Sequence, residues 1–318
     1  MEGLTDAVLT RGMAENTTRR PVLVTGASGM TGRRVLAGLR DLGVPTRAAS
    51  RSSEWRLDWQ DRSTWDRVLD GAASVYLVQY DPEPLTEAFI ERAVAHGVER
   101  IVLLSARGAD RPGYFEGVDE PVTHLLSEEA VRASGLEWTI LRPGWFAQNF
   151  DEGLLADGLR EGVLRLPAGE GAAAWIDAED IAAVAVAALT EDGHHGRVYE
   201  LSGPRALTLD EAATEISAAL GRPVRYEAVS ARDYVDERMA AGWSRQDALL
   251  MVSSLSAIAN GREESPSPGV LEALGREPRD YFADHVVDAF TTGTWKGSIP
   301  HGGEASCAPP PWPSTRRR

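Results

Sequence analysis

The chain has 318 residues, 43% of them hydrophobic and 25% charged, with a formal net charge of −15 and a pI near 4.9. This balance allows a sizeable core and excludes a disordered chain, and the negative charge argues against nucleic acid or an anionic membrane as partner. A single cysteine, Cys307, excludes an internal disulfide and a cysteine metal cluster, so a reducing setting and no metal are expected.

Residues 1–19 are polar and unpatterned, and residues 299–318 are rich in Pro, Gly and Ser, so both are read as disordered tails. No apolar run has the length of a signal peptide or a membrane span, and the expected location is cytoplasmic. From Pro21 short apolar runs alternate with helical patterns. PVLVTG (21–26) reads as a buried strand, GMTGRRVLAGLRDLG (29–43) as a helix and VPTRAASR (44–51) as a second strand, with a short third strand ahead of the loop that holds Asp58. SVYLVQY (74–80) and RIVLLSA (100–106) are further strands, separated by the helical pattern PLTEAFIERAVAHG. A helix over 120–134 precedes the strand EWTILRP (137–143). WIDAEDIAAVAVAALTE (175–191) opens another helix, with Asp177 and Asp180 as its caps, and GRVYELSG (196–203) is one more strand. From Leu207 to about Thr292 the chain reads as mainly helical.

This order predicts an α/β fold: a doubly wound parallel sheet over residues 20–150, completed by about 175–203, with a smaller, mainly helical substrate lobe from 151–174 and 204–298. VTGASGMTGRRV follows the first strand and opens the first helix. Its glycines, Gly26, Gly29 and Gly32, suit a tight turn and close approach to a pyrophosphate, with Ser28, Met30 and Thr31 between them facing the same phosphates. At the end of the second strand an NAD site would carry an acid. Here stand Ser50 and Arg51, with Arg47 inside the strand and Arg33 after the glycine turn. A guanidinium suits a 2′-phosphate, so NADP(H) is the expected cofactor, with NAD(H) as the alternative. Asp58, after the third strand, is placed to reach the adenine.

Together with SARGAD (105–110), SGLEWTILRPGWFAQNF (134–150), WIDAEDIA (175–182) and YELSGPRALTLDEAA (199–213), these residues resemble the NmrA-like branch of the atypical short-chain dehydrogenases/reductases over roughly residues 20–290. The resemblance implies an extended Rossmann fold and an NAD(P)H-dependent reductase of quinones, iminium compounds or ketones. Other members are non-catalytic nucleotide-sensing regulators, and a non-redox isomerase or cyclase on the same fold is a third reading. It places Ser105 where relatives keep a hydroxyl beside the substrate, and Pro143 with Gly144 in the loop that passes the nicotinamide.

Most short-chain dehydrogenases carry Tyr-x-x-x-Lys on the helix that is PVTHLLSEEAVRAS here, which has neither residue. Hydride transfer survives that loss most easily when the acceptor needs no strong proton donor, which favours iminium, quinone or conjugated acceptors. His124 is the replacement donor the helix offers, with Glu128 at i+4 as its expected partner. Trp145, Phe146 and Asn149 are expected to line a pocket for a flat cyclic substrate, with Tyr114 as a lid residue in RPGYFEG. The expected partner is a small molecule, and the expected assembly a monomer or homodimer.

Overall fold

The structure is a computed structural model that describes residues 20–81, 83–117 and 123–292. The two expected tails and the proposed helix start near Pro121 lie outside the described residues. The elements follow the sequence pattern closely in the first half: β1 (Val22–Val24), α1 (Met30–Asp41), β2 (Thr46–Ser50), β3 (Trp55–Arg56), the short α2 (Trp65–Leu69), β4 (Ser74–Val78), α3 (Thr86–Ala95), β5 (Arg100–Leu104), α4 (Thr123–Ala133) and β6 (Glu137–Pro143). They continue with α5 (Ala156–Glu161), β7 (Val163–Leu166), β8 (Ala172–Ala173), α6 (Ala178–Thr190), β9 (Arg197–Leu201), β10 (Leu207–Thr208) and α7 (Leu209–Leu220). The last are β11 (Arg225–Ala228), α8 (Ala231–Ala240), α9 (Arg245–Ala259), α10 (Gly269–Leu274) and α11 (Val286–Thr292), the last preceded by a π-helical turn, Tyr281–His285.

The strands β3-β2-β1-β4-β5-β6-β9 form one seven-stranded sheet in that order. The pairs β2–β3, β1–β2, β1–β4, β4–β5 and β5–β6 are all parallel. The strand order reverses between β1 and β4, the switch point at which such sheets bind nucleotides. Val24 pairs with Tyr76 and Val78 with Leu104, so the chain emerges from β1, β4 and β5 along one edge, carrying the glycine turn, Gln79 and Ser105.

The described residues divide into two compact units. One comprises the described residues within Met1–Ser105, Thr123–Leu141 and Ile181–Tyr199, and the other those within Ala106–Val122, Arg142–Asp180 and Glu200–Arg318. In the first, Leu23, Val75, Leu77, Ile101 and Leu103 of the strands pack with Trp65, Phe89 and Val131 of the helices, all at most 1% exposed. Each such side chain contributes about 1.5–3 kcal/mol relative to exposure. The apolar face of α1, Val35, Leu36 and Leu39, is buried while Arg33 and Arg40 are exposed, the outcome its helical spacing predicts.

The core of the second unit is centred on Phe150, whose ring meets Trp175 edge-on at 4.8 Å and Phe282 at 5.6 Å. Two small sheets, parallel β7–β11 and antiparallel β8–β10, accompany its helices. Their strands of two to four residues are too short to leave a readable period in the sequence. Thr208 starts α7 with a complete capping box to Glu211. Among the described residues no helix is long and apolar enough to cross a membrane.

Candidate cofactor and hydride-transfer site

The glycine turn joins β1 to α1. Gly26 has φ of +58°, a left-handed conformation, and its carbonyl accepts from Gly29 N at 2.8 Å to close the turn. A β-carbon on Gly32 would lie 2.8 Å from the Gly26 carbonyl carbon and 3.1 Å from Ala27 Cα, closer still to the Gly26 oxygen, so the helix approaches the turn as only glycine allows. Helix α1 has no side-chain cap and no acid in its first turn. Its positive end is therefore open to an anion. Ser28 and Gly29 are exposed at the turn and Met30 is half-buried, while Thr31 and Gly32 are buried beneath them. These residues fit a dinucleotide pyrophosphate.

At the ribose end, Arg51 is exposed just after β2, and Arg33 is exposed on α1. Arg47 has a different task from the expected one. Its guanidinium donates to the Val68 and Asp70 carbonyls at 2.6 and 2.7 Å and lies 4.1 Å from the Trp55 ring centroid, so it ties β2 to α2 and β3 instead of awaiting a phosphate. Asp58 is half-buried and accepts from Arg56 at 3.0 Å and from Gln60 N at 3.2 Å. Gln79, which the sequence pattern did not single out, is buried one residue beyond β4. Its amide nitrogen donates to Asp81 at 2.8 Å, and its Oε1 has no hydrogen-bond partner among the described residues. A buried acceptor without a donor is costly. A cofactor hydroxyl at this edge of the sheet would satisfy it.

Ser105 stands next to Gln79 in register, one residue beyond β5. Its hydroxyl donates to Glu128 Oε1 at 2.6 Å, and Arg132 Nη2 donates to Glu128 Oε2 at 3.0 Å. Glu128 is fully buried. The expected His124–Glu128 pair is thereby replaced: Glu128 serves Ser105 and Arg132, while His124 Nε2 lies 3.7 Å from Asp81 Oδ1. Sharing a helix face set the first expectation, and the strand end packed against that face supplied the stronger partner. His124 remains partly exposed. Its helix is further fixed by Thr123, which donates to the Asp81 carbonyl at 2.9 Å.

In the second unit, Pro143 is buried and accepts at its carbonyl from Arg107 N at 2.9 Å, while Gly144 N donates to the Leu201 carbonyl at 2.9 Å. Trp145 and Phe146 are half-buried. Trp145 meets Trp175 edge-on at 6.1 Å, and Phe146 bridges to Ile176 ahead of a single 3-10 turn that holds Asn149. Tyr114 is no exposed lid. It is 4% exposed, with its hydroxyl 2.8 Å from Glu263 Oε1 and 3.1 Å from the Arg262 carbonyl. Burial, reinforced by the Glu263 carboxyl, pushes the phenol well above its ordinary range. Burial likewise raises the Glu263 carboxyl, against the pull of Arg107, whose Nη1 lies 3.7 Å from Glu263 Oε2. Asp177 caps α6 by accepting from Glu179 N at 2.9 Å. Asp180 does not cap; it accepts from Arg276 and from Arg279 N, each at 2.7 Å. Among the described residues no group of His, Cys, Asp and Glu could hold a metal ion.

A family model described as NAD(P)H-binding matches residues 26–192, the glycine turn through α6. The chain belongs to this NAD(P)H-binding family. It is 37% identical over 282 residues to the (4-alkanoyl-5-oxo-2,5-dihydrofuran-3-yl)methyl phosphate reductase of Streptomyces griseus, covering 83% of this chain and 98% of that enzyme. It is 30% identical to the agroclavine dehydrogenase of Claviceps fusiformis, over 84% of this chain and 96% of that one. Among solved structures, an NADPH-dependent quinone oxidoreductase from Escherichia coli matches with a TM-score of 0.70 and 28% identity, covering 85% of this chain and 99% of that one. The doubly wound fold and the NAD(P)H-binding turn expected from sequence are thus those of the family.

Proposed function

We propose that this chain is an NAD(P)H-dependent reductase that passes hydride to a small cyclic or aromatic acceptor, a quinone, an iminium compound or a polycyclic ketone, in natural-product biosynthesis. The observation that carries this reading is the end of β5. There the Ser105 hydroxyl is held by Glu128 and Arg132, on the helix where most short-chain dehydrogenases place a tyrosine and a lysine. A serine so engaged is no strong acid toward an alkoxide, and acceptors whose reduced form is a neutral amine, a phenolate or a delocalised enolate need none. The bound cofactor supplies the hydride. Gly26, Ser28, Gly29, Met30, Thr31 and Gly32 hold its pyrophosphate, Arg51 its 2′-phosphate, Asp58 its adenosine end and Pro143 its nicotinamide. His124, partly exposed beside Asp81, supplies a proton to those acceptors that require one.

The substrate walls are assigned to Trp145, Phe146, Asn149 and Tyr114, with the substrate lobe formed by 151–174 and 204–298. The relatives support the reading by their names: a (4-alkanoyl-5-oxo-2,5-dihydrofuran-3-yl)methyl phosphate reductase, an agroclavine dehydrogenase and an NADPH-dependent quinone oxidoreductase. The protein is placed in the cytoplasm, as a monomer or homodimer, with no nucleic-acid partner. The test is consumption of NADPH against panels of quinones, enones, iminium salts and ketones. Turnover of at least one of the first three, above any ketone, is expected; tight NADPH binding with no turnover of any acceptor overturns it.

A further inference from the structure

Glu128 and Arg132 lie four positions apart, the spacing of the absent tyrosine and lysine, and they meet Ser105 in the order hydroxyl, acid, cation. The direction of the hydrogen bond differs in its consequence. A tyrosine would point a hydrogen at the acceptor. Here the serine hydrogen is drawn inward, toward a fully buried carboxylate 2.6 Å away, in a charge-assisted bond of the stronger kind. What Ser105 has left to present is the lone pairs of its oxygen.

We propose that Glu128 is the positioning residue of the hydride-transfer site: held by Arg132, it captures the Ser105 hydrogen and turns the serine oxygen into a hydrogen-bond acceptor for the substrate. The inference rests on the reductase reading above, since it takes the end of β5 as the place where the acceptor docks. It adds a rule of recognition. A quinone or ketone carbonyl has no hydrogen to offer and must turn its oxygen away from Ser105, whereas an acceptor with an N–H on the atom doubly bonded to the electrophilic carbon completes the chain from substrate to Ser105 to Glu128 to Arg132. During reduction the hydride bonds to that carbon and the π pair moves to the neighbouring heteroatom. The Ser105 hydrogen stays on its own oxygen, directed at Glu128, so no proton has to cross the chain.

A matched pair of probes tests this. Protonated 3,4-dihydroisoquinoline carries an N–H, and N-methyl-3,4-dihydroisoquinolinium has the same charge and ring without it. Their dissociation constants are measured by calorimetry on the enzyme–NADP+ complex, which cannot react, and their kcat/KM with NADPH, at a pH where the imine is protonated. The wild type should favour the N–H probe about tenfold, the value of one good hydrogen bond. Ser105→Ala should bring the ratio to about one. In Glu128→Gln the amide oxygen goes to Arg132 and its NH2 to Ser105, freeing the serine hydrogen, so the preference should invert. Melting temperature and NADPH affinity accompany each variant, and Ser105→Ala keeps the test alive if Glu128→Gln does not fold. A wild-type ratio near one, a ratio unchanged in both variants, or binding of neither probe overturns the proposal. Discriminating binding without turnover upholds it and sinks the reductase reading instead.

Discussion

Gly32→Ala tests the cofactor turn most directly. The added methyl would sit 2.8 Å from the Gly26 carbonyl carbon and 3.1 Å from Ala27 Cα, both backbone atoms that cannot rotate away. Overpacking a tight site costs about 1–3 kcal/mol, and a clash with backbone on two consecutive residues belongs at the upper end, about 3 kcal/mol. At roughly 2–4 °C per kcal/mol for a domain of this size, the melting temperature should fall by about 6–12 °C. The same shift would push the first turn of α1 off the pyrophosphate. Losing one bond from a backbone amide to a charged group costs about 1.5–3 kcal/mol, so NADPH affinity should drop at least about tenfold. Fluorescence titration with NADPH and a thermal melt measure both effects. If Gly32→Ala binds NADPH as the wild type does, the turn does not hold the pyrophosphate.

Arg51→Ala should weaken NADPH by about tenfold or more while leaving NADH almost unchanged, because the lost contact is charge-assisted and specific to the 2′-phosphate; equal losses for both would place the 2′-phosphate elsewhere. Glu263 sets a pH dependence. Burial raises its carboxyl above the ordinary 4.5, so the folded state keeps a proton that the unfolded chain releases. The associated stability is fully present below 4.5 and is lost as pH rises through the raised folded value. Glu263→Gln should therefore flatten the fall in melting temperature over that window, and parallel profiles for the two proteins would refute the assignment. Gly108→Ala should cost about 1–3 kcal/mol, since its φ is +78° and the added carbon would sit 2.5 Å from Tyr114 Cε1; denaturant melts read it, and an unchanged midpoint would mean that the Tyr114 ring is free to move.

The sheet and its nucleotide turn were legible because they are local. Periods of two and 3.6 residues, and glycines between a strand and a helix, report on backbone that is close in sequence. The partners of individual polar side chains were not. Arg47 resembled a phosphate ligand by its place in the sequence, but its reach to Val68 and Asp70 and its stacking on Trp55 depend on how β2 lies against the segments that follow it. Tyr114 lies in a glycine-flanked loop that reads as mobile, and the residue that fixes it, Glu263, is 149 positions away. The helix α4 shows the same limit at the point that matters for chemistry. The loss of tyrosine and lysine could be read directly, since an absence needs no partner. Glutamate and arginine four apart are common on any exposed helix, where they add only about 0.2–0.5 kcal/mol, so Glu128-x-x-x-Arg132 carried no signal of its own. What sets this pair apart is that Glu128 is fully buried with a serine from β5 at 2.6 Å. Burying a carboxylate costs several kcal/mol unless it is paired and hydrogen-bonded on both oxygens, a cost out of proportion to a surface ion pair. The fold meets that cost at the end of β5, on the edge of the sheet that also carries the glycine turn, and that coincidence of expense and place is the argument for a functional Glu128.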